Sequence, residues 1–234
     1  KTDFFSYSIL LTHFLVYRPE TAVIIGDMAH QGAEFVQLAL EDYQDIWMLE
    51  RAAAPLRRWE QHAQGQLNTI HLKAGDEAEL IWDEIQHHAP YPITLMVQIF
   101  ALQEPIDNPW DGTDAPDMAF DFPFAFDCST LISAHMAQHQ GGEILNVVSR
   151  IEDASDVLQE MFESTREALL ELAALTQAPK VHVHTLSYTP QSFALQSDFL
   201  PSDVAPNLIP ETCAPGEIAD YGFQVMRKSR SFGG

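Results

Sequence analysis

Three residues near the middle of the chain have types and spacing that bear on proton chemistry. Ser149 follows a short apolar run, Phe162 comes thirteen residues later, and Arg166 comes four residues after that. Residues four apart share one face of a helix, so Phe162 and Arg166 should be neighbours. A hydroxyl at a strand end, facing a helix, is where α/β enzymes place catalytic groups. The helix position that could hold a proton donor is therefore a phenylalanine here, beside an arginine that keeps its proton permanently.

A second candidate site is segment 24–35, IIGDMAHQGAEF, which follows an apolar run and opens a helical pattern. Glycine-rich loops in this context hold the pyrophosphate of a dinucleotide. Gly26 and Gly32 fit the outer glycine positions, but His30 stands at the middle one, where its ring would project into the space for the pyrophosphate. Glu50 lies where a carboxylate could accept hydrogen bonds from a ribose diol. Two interpretations of this segment are kept: a plain strand–helix turn, and a weak or unusual nucleotide site.

Two pairs of histidines have spacings that bear on metal binding. His135 and His139 are four apart in a helical pattern, a geometry that can hold zinc, but no acidic third ligand occurs at a matching spacing. His182 and His184 alternate on a strand-like run, where burial beside a helix is the preferred interpretation. The first pair is interpreted as surface or interface histidines, so no metal site is predicted. A serine hydrolase is disfavoured because no G-x-S-x-G elbow is present.

Composition narrows the possible classes of protein. The chain has 234 residues, 46% of them hydrophobic, and a formal net charge of −22. One sizeable core is the default at this length, and the charge argues against binding to nucleic acid or to an anionic membrane. Two cysteines, Cys128 and Cys213, give neither a disulfide framework nor a zinc pattern. With no secretory signal visible and no run long enough to span a bilayer, a cytoplasmic location is expected.

These candidate residues must be positioned by alternating strands and helices. Strands alternating with helices of ten to fifteen residues indicate an α/β fold with a parallel sheet covered on both faces. Residues 1–20 are predicted to be an N-terminal extension, and 21–234 a single domain. The predicted strands are 22–25, 45–49, 67–72, 93–100, 144–148 and 181–186, and the predicted helices are 33–43, 55–64, 76–88, 124–138, 155–176 and 216–225.

Over residues 22–219, the sequence resembles the short-chain dehydrogenase/reductase family. The resemblance is carried by the order and spacing of several motifs together. They are IIGDMAHQG (24–32), LER (49–51), HMAQHQGGEILNVVS (135–149), VHVHTLSYTP (181–190) and PGEIA (215–219), with the spaced Ser149, Phe162 and Arg166. The resemblance implies a Rossmann-like, doubly wound parallel sheet in three α/β/α layers, with NAD(P) as the family's cofactor.

The family uses a serine, a tyrosine, a lysine four residues later, and an asparagine on the preceding helix. Carried over, Ser149 matches the serine, whereas Phe162 stands at the tyrosine position, Arg166 at the lysine and Asp121 at the asparagine. An acid on the carbonyl oxygen typically contributes about 10²–10⁴-fold to such reactions, and Phe162 has no proton to give. Arg166 is left to bind a carboxylate or phosphate, or to pair with Asp121 or Glu163.

The cofactor positions are also altered relative to the family. The family's NNAG-like stretch, expected after the fourth strand, reads VQIFA at 97–101. The aspartate that usually approaches the adenine falls at Lys73. Together with His30 in the glycine-rich turn, these changes predict that no cofactor is bound.

The resemblance therefore indicates a catalytically inactive, pseudoenzyme-like subunit that assembles with an active homologue of the family. The expected contact is made by helices 124–138 and 155–176, the pair with which the family builds a four-helix dimer interface. Their apolar positions exceed what one sheet face needs: Leu131, Ile132, Met136, Leu169, Leu172 and Leu175. Two alternatives remain, an active NAD(P)-dependent oxidoreductase in which Ser149 and Asp121 carry the proton chemistry, and a regulator that senses a small molecule.

Overall fold

The computed structural model describes residues 19–26, 31–51, 53–62, 65–73, 75–101, 122–149, 156–175, 180–188, 219–220, 222–224 and 226. The six strands are β1 (Thr21–Ile25), β2 (Asp45–Glu50), β3 (Leu67–His71), β4 (Ile93–Ala101), β5 (Gly142–Ser149) and β6 (Val181–Tyr188). The five helices between them are α1 (Gln31–Asp42), α2 (Ala53–His62), α3 (Ala78–His88), α4 (Phe122–Gln138) and α5 (Asp156–Leu175).

The strands form one sheet of order β3-β2-β1-β4-β5-β6, and every neighbouring pair is parallel. The chain begins at the centre with β1, extends to one edge through β3, and then returns to build the other half from β4. This is the doubly wound order, in which ligands bind beyond the carboxyl ends of the strands where the order reverses. The predicted Rossmann-like α/β fold is confirmed.

The two faces of the sheet bury separate apolar clusters. Strand β1, TAVII, is fully buried because strands β2 and β4 flank it and helices cover both of its faces. One cluster packs α1, α2 and the helical segment within 219–226 against the sheet. The other packs α3, α4 and α5 on the opposite face. The structure is therefore three layers deep, as the sequence predicted.

The main differences from the sequence prediction lie at element ends. Strand β4 ends at Ala101, one residue beyond its predicted end, so the stretch 97–101 that was compared with the family's NNAG-like segment lies within the strand and not after it. Its apolar residues are buried by helices on both faces, and that burial favours continued strand pairing with β5. The helical spacing also predicts Leu80 on the same face as Ile81 and Ile85, but Leu80 is exposed because the buried face of α3 is formed by Ala78, Ile81, Trp82 and Ile85.

The predicted N-terminal extension falls almost entirely outside the described residues. Its last residue, Glu20, is anchored to the sheet: the Thr94 hydroxyl donates to its carboxylate at 2.7 Å, and its backbone N–H donates to the side-chain oxygen of Gln44 at 3.0 Å. The division into an extension at 1–20 and a single domain at 21–234 stays a prediction.

Gly26 fixes the direction in which the chain leaves β1. Its φ is +87°, a left-handed conformation that side chains with a Cβ rarely adopt. A Cβ built at Gly26 would lie 2.6 Å from the carbonyl oxygen of Ile99 in β4. The backbone N–H of Gly26 also donates to Leu49 of β2 at 2.9 Å. Glycine is therefore needed at this turn for packing between two strands, whether or not a nucleotide binds there.

Substitution of Gly26 by Ala tests this packing against a matched control. Gly75 has the same φ of +87° but nothing within 4 Å of a built Cβ. Both substitutions incur the left-handed penalty of about 1–2 kcal/mol, and Gly26→Ala adds a steric cost of roughly 1–3 kcal/mol. In urea denaturation we expect Gly26→Ala to lower the free energy of unfolding by clearly more than Gly75→Ala. Equal losses would show that the contact with Ile99 relaxes freely.

Candidate functional site

The candidate site lies at the carboxyl ends of β1, β2 and β4, where the strand order reverses. Gly26 follows β1 there, and Gly32 is buried in the first turn of α1. Glu50, the last residue of β2, is only 4% exposed, and one of its carboxylate oxygens accepts the backbone N–H of Arg51 at 2.7 Å. The structure therefore brings three of the predicted cofactor positions to one edge, with the carboxylate of Glu50 already bonded to the local backbone.

His30, the fourth predicted cofactor position, lies outside the described residues, as do Asp121 and Cys213. The obstruction that His30 is expected to cause, and the role of Asp121, remain predictions from the sequence. Among the described histidines, cysteines and acidic residues, no group of three or more is placed to hold a metal ion. None of the described helices is long and apolar enough to cross a membrane.

A small open recess of about 40 Å³ lies beside Glu50, between the segments that follow β2 and β3 and the start of α4. Lys73, which the resemblance matches to the family's aspartate near the adenine, lines this recess. Asp76, from the same segment, also lines the recess, and its carboxylate accepts the backbone N–H of Lys73 at 2.7 Å. Two cations and one carboxylate thus surround the recess, whose lining is formed by Arg51, Leu72, Lys73, Gly75, Asp76 and Phe124.

A buried polar link joins the end of β4 to α4. Gln98 is fully buried within the 97–101 stretch, and its amide donates to the backbone oxygen of Ala125 at 2.9 Å. The amide oxygen accepts the hydroxyl of Ser129 at 3.0 Å. Sequence reasoning missed this pair, and the polar Gln98 within an apolar strand was the available signal. It fixes the start of α4 over the sheet edge that carries the site.

The three catalytic-type positions lie on β5 and α5. Ser149 ends β5, paired in register with Ala101 of β4 and Tyr188 of β6. Phe162 is 6% exposed and belongs to the apolar cluster beneath α3, α4 and α5. Its ring therefore serves as part of the core, and it has no group that could protonate a substrate.

Arg166 forms an ion pair on its own helix. Its Nε lies 3.1 Å from a carboxylate oxygen of Glu163, one turn earlier, and the Arg166 side chain is 23% exposed. Of the partners that the sequence left open, Glu163 is one that the structure shows, whereas Asp121 lies outside the described residues. A guanidinium engaged in this way at the surface contributes little to stability, as exposed pairs generally do.

The other histidines and the cysteine singled out from the sequence differ in burial and in the contacts they make within the fold. His184 is buried against Glu143, its Nε2 2.8 Å from the carboxylate, whereas His182 is exposed, so the predicted burial of this pair is wrong for His182. Burial is the main factor that raises the pKa of Cys128 to about 12, with Asp127 and Glu79 adding to it, so this thiol stays protonated and is a poor nucleophile. Burial, and then the neighbouring His139, lower the pKa of His135.

The outer surfaces of α4 and α5 differ sharply in charge. The exposed residues of α4, named here the α4 face, include one charged side chain and are Pro123, Asp127, Thr130, Ala134 and Gln138. The exposed side of α5 has acidic residues spaced three or four apart, named here the acidic row: Asp156, Glu160, Glu163, Glu167 and Glu171. An almost uncharged helix surface thus lies beside a strongly negative one.

The apolar surplus predicted for these two helices is mostly absent. Ile132, Met136, Leu169 and Leu172 are buried in the chain's own core because α4 and α5 cover β4, β5 and β6. Leu131 is partly buried, and Leu175 is 73% exposed. The expected apolar contact with a partner therefore reduces to these two residues and the α4 face.

Comparison with known proteins gives a fold but no close relative. No protein-family model matches the sequence, and no curated protein sequence matches it either. Solved structures do match across most of the chain. YwfH, described as an NADPH-dependent reductase involved in bacilysin biosynthesis, is 16% identical with a TM-score of 0.60, and the alignment covers 92% of this chain and 94% of that one.

Two further structures match similarly. A β-ketoacyl-[ACP] reductase from Bacteroides thetaiotaomicron is 16% identical with a TM-score of 0.60, covering 87% of this chain and 89% of its own. A short-chain dehydrogenase/reductase from Burkholderia phymatum, in complex with NAD, is 10% identical with a TM-score of 0.57, covering 92% and 88%. At such identities the likeness shows a shared fold, that of the short-chain dehydrogenase/reductase oxidoreductases.

The link between Gln98 and Ser129 can be tested by removing its hydroxyl. Ser129→Ala leaves the buried Gln98 oxygen without a donor, which should lower the free energy of unfolding by about 1–3 kcal/mol. Thr130→Ala is the control, because its exposed hydroxyl bonds only within its own helix, to Phe126 at 3.0 Å, and should change stability by less than about 0.5 kcal/mol. Denaturant unfolding measures both. Similar small losses would mean that water replaces Ser129 at Gln98.

Proposed function

We propose that this chain is a non-catalytic member of the short-chain dehydrogenase/reductase family that assembles with, and stabilises or completes, an active homologue. The observation that carries the proposal is Phe162, a core residue at the position of the family's proton donor. The pairing of Arg166 with Glu163 adds support, because the family's lysine position is filled by a cation engaged elsewhere. The inactive subunit of the heteromeric 2-[hydroxy(phenyl)methyl]succinyl-CoA dehydrogenase is a protein of this kind.

The charge on α5 favours a partner of different sequence over a second copy of this chain. In a two-fold dimer through α4 and α5, the acidic row of one copy would approach that of the other. Like charges placed opposite each other in an interface cost several kcal/mol. A homologue with lysine or arginine on its corresponding helix would instead complement the row. The nearly uncharged α4 face fits the centre of such an interface, where charged residues are depleted.

The recess beside Glu50 favours a second candidate function, an NAD(P)-dependent oxidoreductase with a rearranged site. Arg51 and Lys73 place two of the chain's twelve Lys and Arg residues at one recess, in a molecule with 34 acidic residues. Cations at the carboxyl ends of the strands suit an anionic ligand such as a nucleotide phosphate. The solved structures of the same fold include reductases described with NADPH or NAD. This candidate requires a proton donor other than Phe162.

Calorimetric titration with NAD⁺, NADH, NADP⁺ and NADPH separates the two candidates. For the isolated chain we expect no binding in the low micromolar range, because His30 stands where the turn needs glycine. The double substitution Phe162→Tyr with Arg166→Lys should not restore ketone reduction by itself, for the same reason. Micromolar binding by the native chain, or turnover by the double variant, would count against the inactive subunit.

The partner can be tested in the native source with a tagged chain. We expect an intact dehydrogenase, one with the serine, tyrosine and lysine, to co-purify with it in stoichiometric amount. Ala134→Glu places a charge in the α4 face and should abolish that co-purification. Leu80→Glu adds the same charge on the exposed surface of α3, where Leu80 is 63% exposed, and should leave it intact. Recovery of a homodimer alone, or equal effects of the two variants, would contradict the proposed interface.

A further inference from the structure

Helices α3 and α4 meet at an imidazole near their carboxyl-terminal ends. His135 lies in the last turn of α4. Trp82 of α3 packs against its ring edge to face, with the ring centroids 5.2 Å apart and the planes at 76°. The side-chain nitrogen of Gln86, one turn further along α3, lies 3.1 Å from Nδ1 of His135. Two residues of the neighbouring helix therefore hold this ring in place.

A second imidazole lies beside the first at the end of α4. The backbone N–H of His139 donates to the carbonyl oxygen of His135 at 3.2 Å, and the two ring centroids are 4.3 Å apart. The N–H of Gly141 donates to the carbonyl oxygen of Met136 at 2.9 Å, and Gly141 has a φ of +87°. A left-handed glycine in this role is a common way to end a helix. The backbone of the helix end therefore keeps the two rings together.

The contacts of His135 suit a neutral imidazole and not a charged one. Its Nε2 is buried and has no hydrogen-bond partner among the described residues. A neutral imidazole carries a proton on one ring nitrogen, whereas an imidazolium carries one on both and donates from both. Gln86 reaches only Nδ1, and it accepts a proton there once a half-turn of its amide exchanges nitrogen and oxygen. Protonated His135 would therefore bury a charged N–H that has no acceptor, which is costly.

The ionisable groups around this contact do not offset that cost. Burial is the main factor that lowers the pKa of His135, and the neighbouring ring of His139 adds to it. A proton on both rings would also place two like charges side by side. The titratable side chains on the surrounding described elements are all exposed to solvent: Glu79, Asp83 and His87 on α3, His139 after α4, and Lys180 before β6. The closed contact therefore selects the neutral form of His135.

We propose that protonation of His135 opens the contact between α3 and α4, by moving the ring into solvent and releasing the end of α4. The closed contact excludes a proton that the open form binds with an ordinary histidine pKa of about 6.5. The contact is therefore fully stable above that pH and is lost as the pH falls below it. Between about pH 7.5 and about pH 5.5, one such proton can shift the equilibrium toward the open form by up to about tenfold. This inference does not depend on the proposed function.

Amide hydrogen exchange of the native chain at these two pH values tests the opening. The N–H groups of His139 and Gly141 bond to the last carbonyl groups of α4 and report on its end. The N–H of Tyr43, which donates to Ala39 at 2.8 Å at the end of α1, is the matched control. After correction for the intrinsic exchange rates, we expect the protection of the α4 amides to fall by up to about tenfold relative to Tyr43 at the lower pH. Equal changes at the two helix ends would overturn the proposal.

Two variants and a side-chain titration assign the effect to His135. His135→Phe keeps an aromatic ring against Trp82 but cannot take up a proton, so the fall in protection should disappear. His88→Gln is the control, because His88 is exposed at the end of α3 and its ring lies 5.1 Å from that of His87; the fall should persist. NMR of the native side chains should show His135 protonating over the pH interval in which protection is lost. The proposal is overturned if His135→Phe retains the fall, or if native His135 protonates while the α4 amides stay protected.

Discussion

A sheet whose strands are all parallel has to be covered on both faces, and the rest of this structure follows from that constraint. Strand β1 is buried at the centre, so the chain leaves it through a turn pressed between its neighbours, and only glycine fits at Gly26. The helices use their apolar sides to cover the sheet, which is why Ile132 and Leu169 are core residues rather than a surface for a partner. What remains for function is the strand-end edge and the outer sides of the helices.

The strand-end edge of the sheet and the outer surfaces of α4 and α5 bear on function in different ways. At the strand-end edge, one carboxylate oxygen of Glu50 accepts a backbone N–H, and on the following helix Phe162 fills core space. On the outside, the α4 face carries little charge while the acidic row repels a second copy of itself. Under the proposed function, these features are those of a subunit kept for assembly, in which the family's proton-donor position has been replaced. The recess lined by Arg51 and Lys73 is the feature that fits this description least.

The sequence predicted the fold well because strand and helix periodicity depends on the same burial that the sheet requires. It also placed Ser149 at the end of the fifth strand and Phe162 and Arg166 on the following helix, where the structure has them. It could not distinguish apolar residues that cover the chain's own sheet from those left for a partner, since both have the same helical spacing. It missed the bond between Gln98 and Ser129, which are 31 residues apart, and the contact of Gln86 with His135 for the same reason: separation in sequence hides such pairs.

The most direct test of the central claim is a crystal structure of this chain together with its co-purified partner, grown with NADPH or NADH. The claim is that the dinucleotide scaffold persists here while the groups that seat the cofactor and move a proton have been replaced. We expect clear density for the dinucleotide in the strand-end crevice of the partner, and none in the corresponding crevice of this chain. A dinucleotide lying across the turn after Gly26, with its nicotinamide beside Ser149, would contradict the claim.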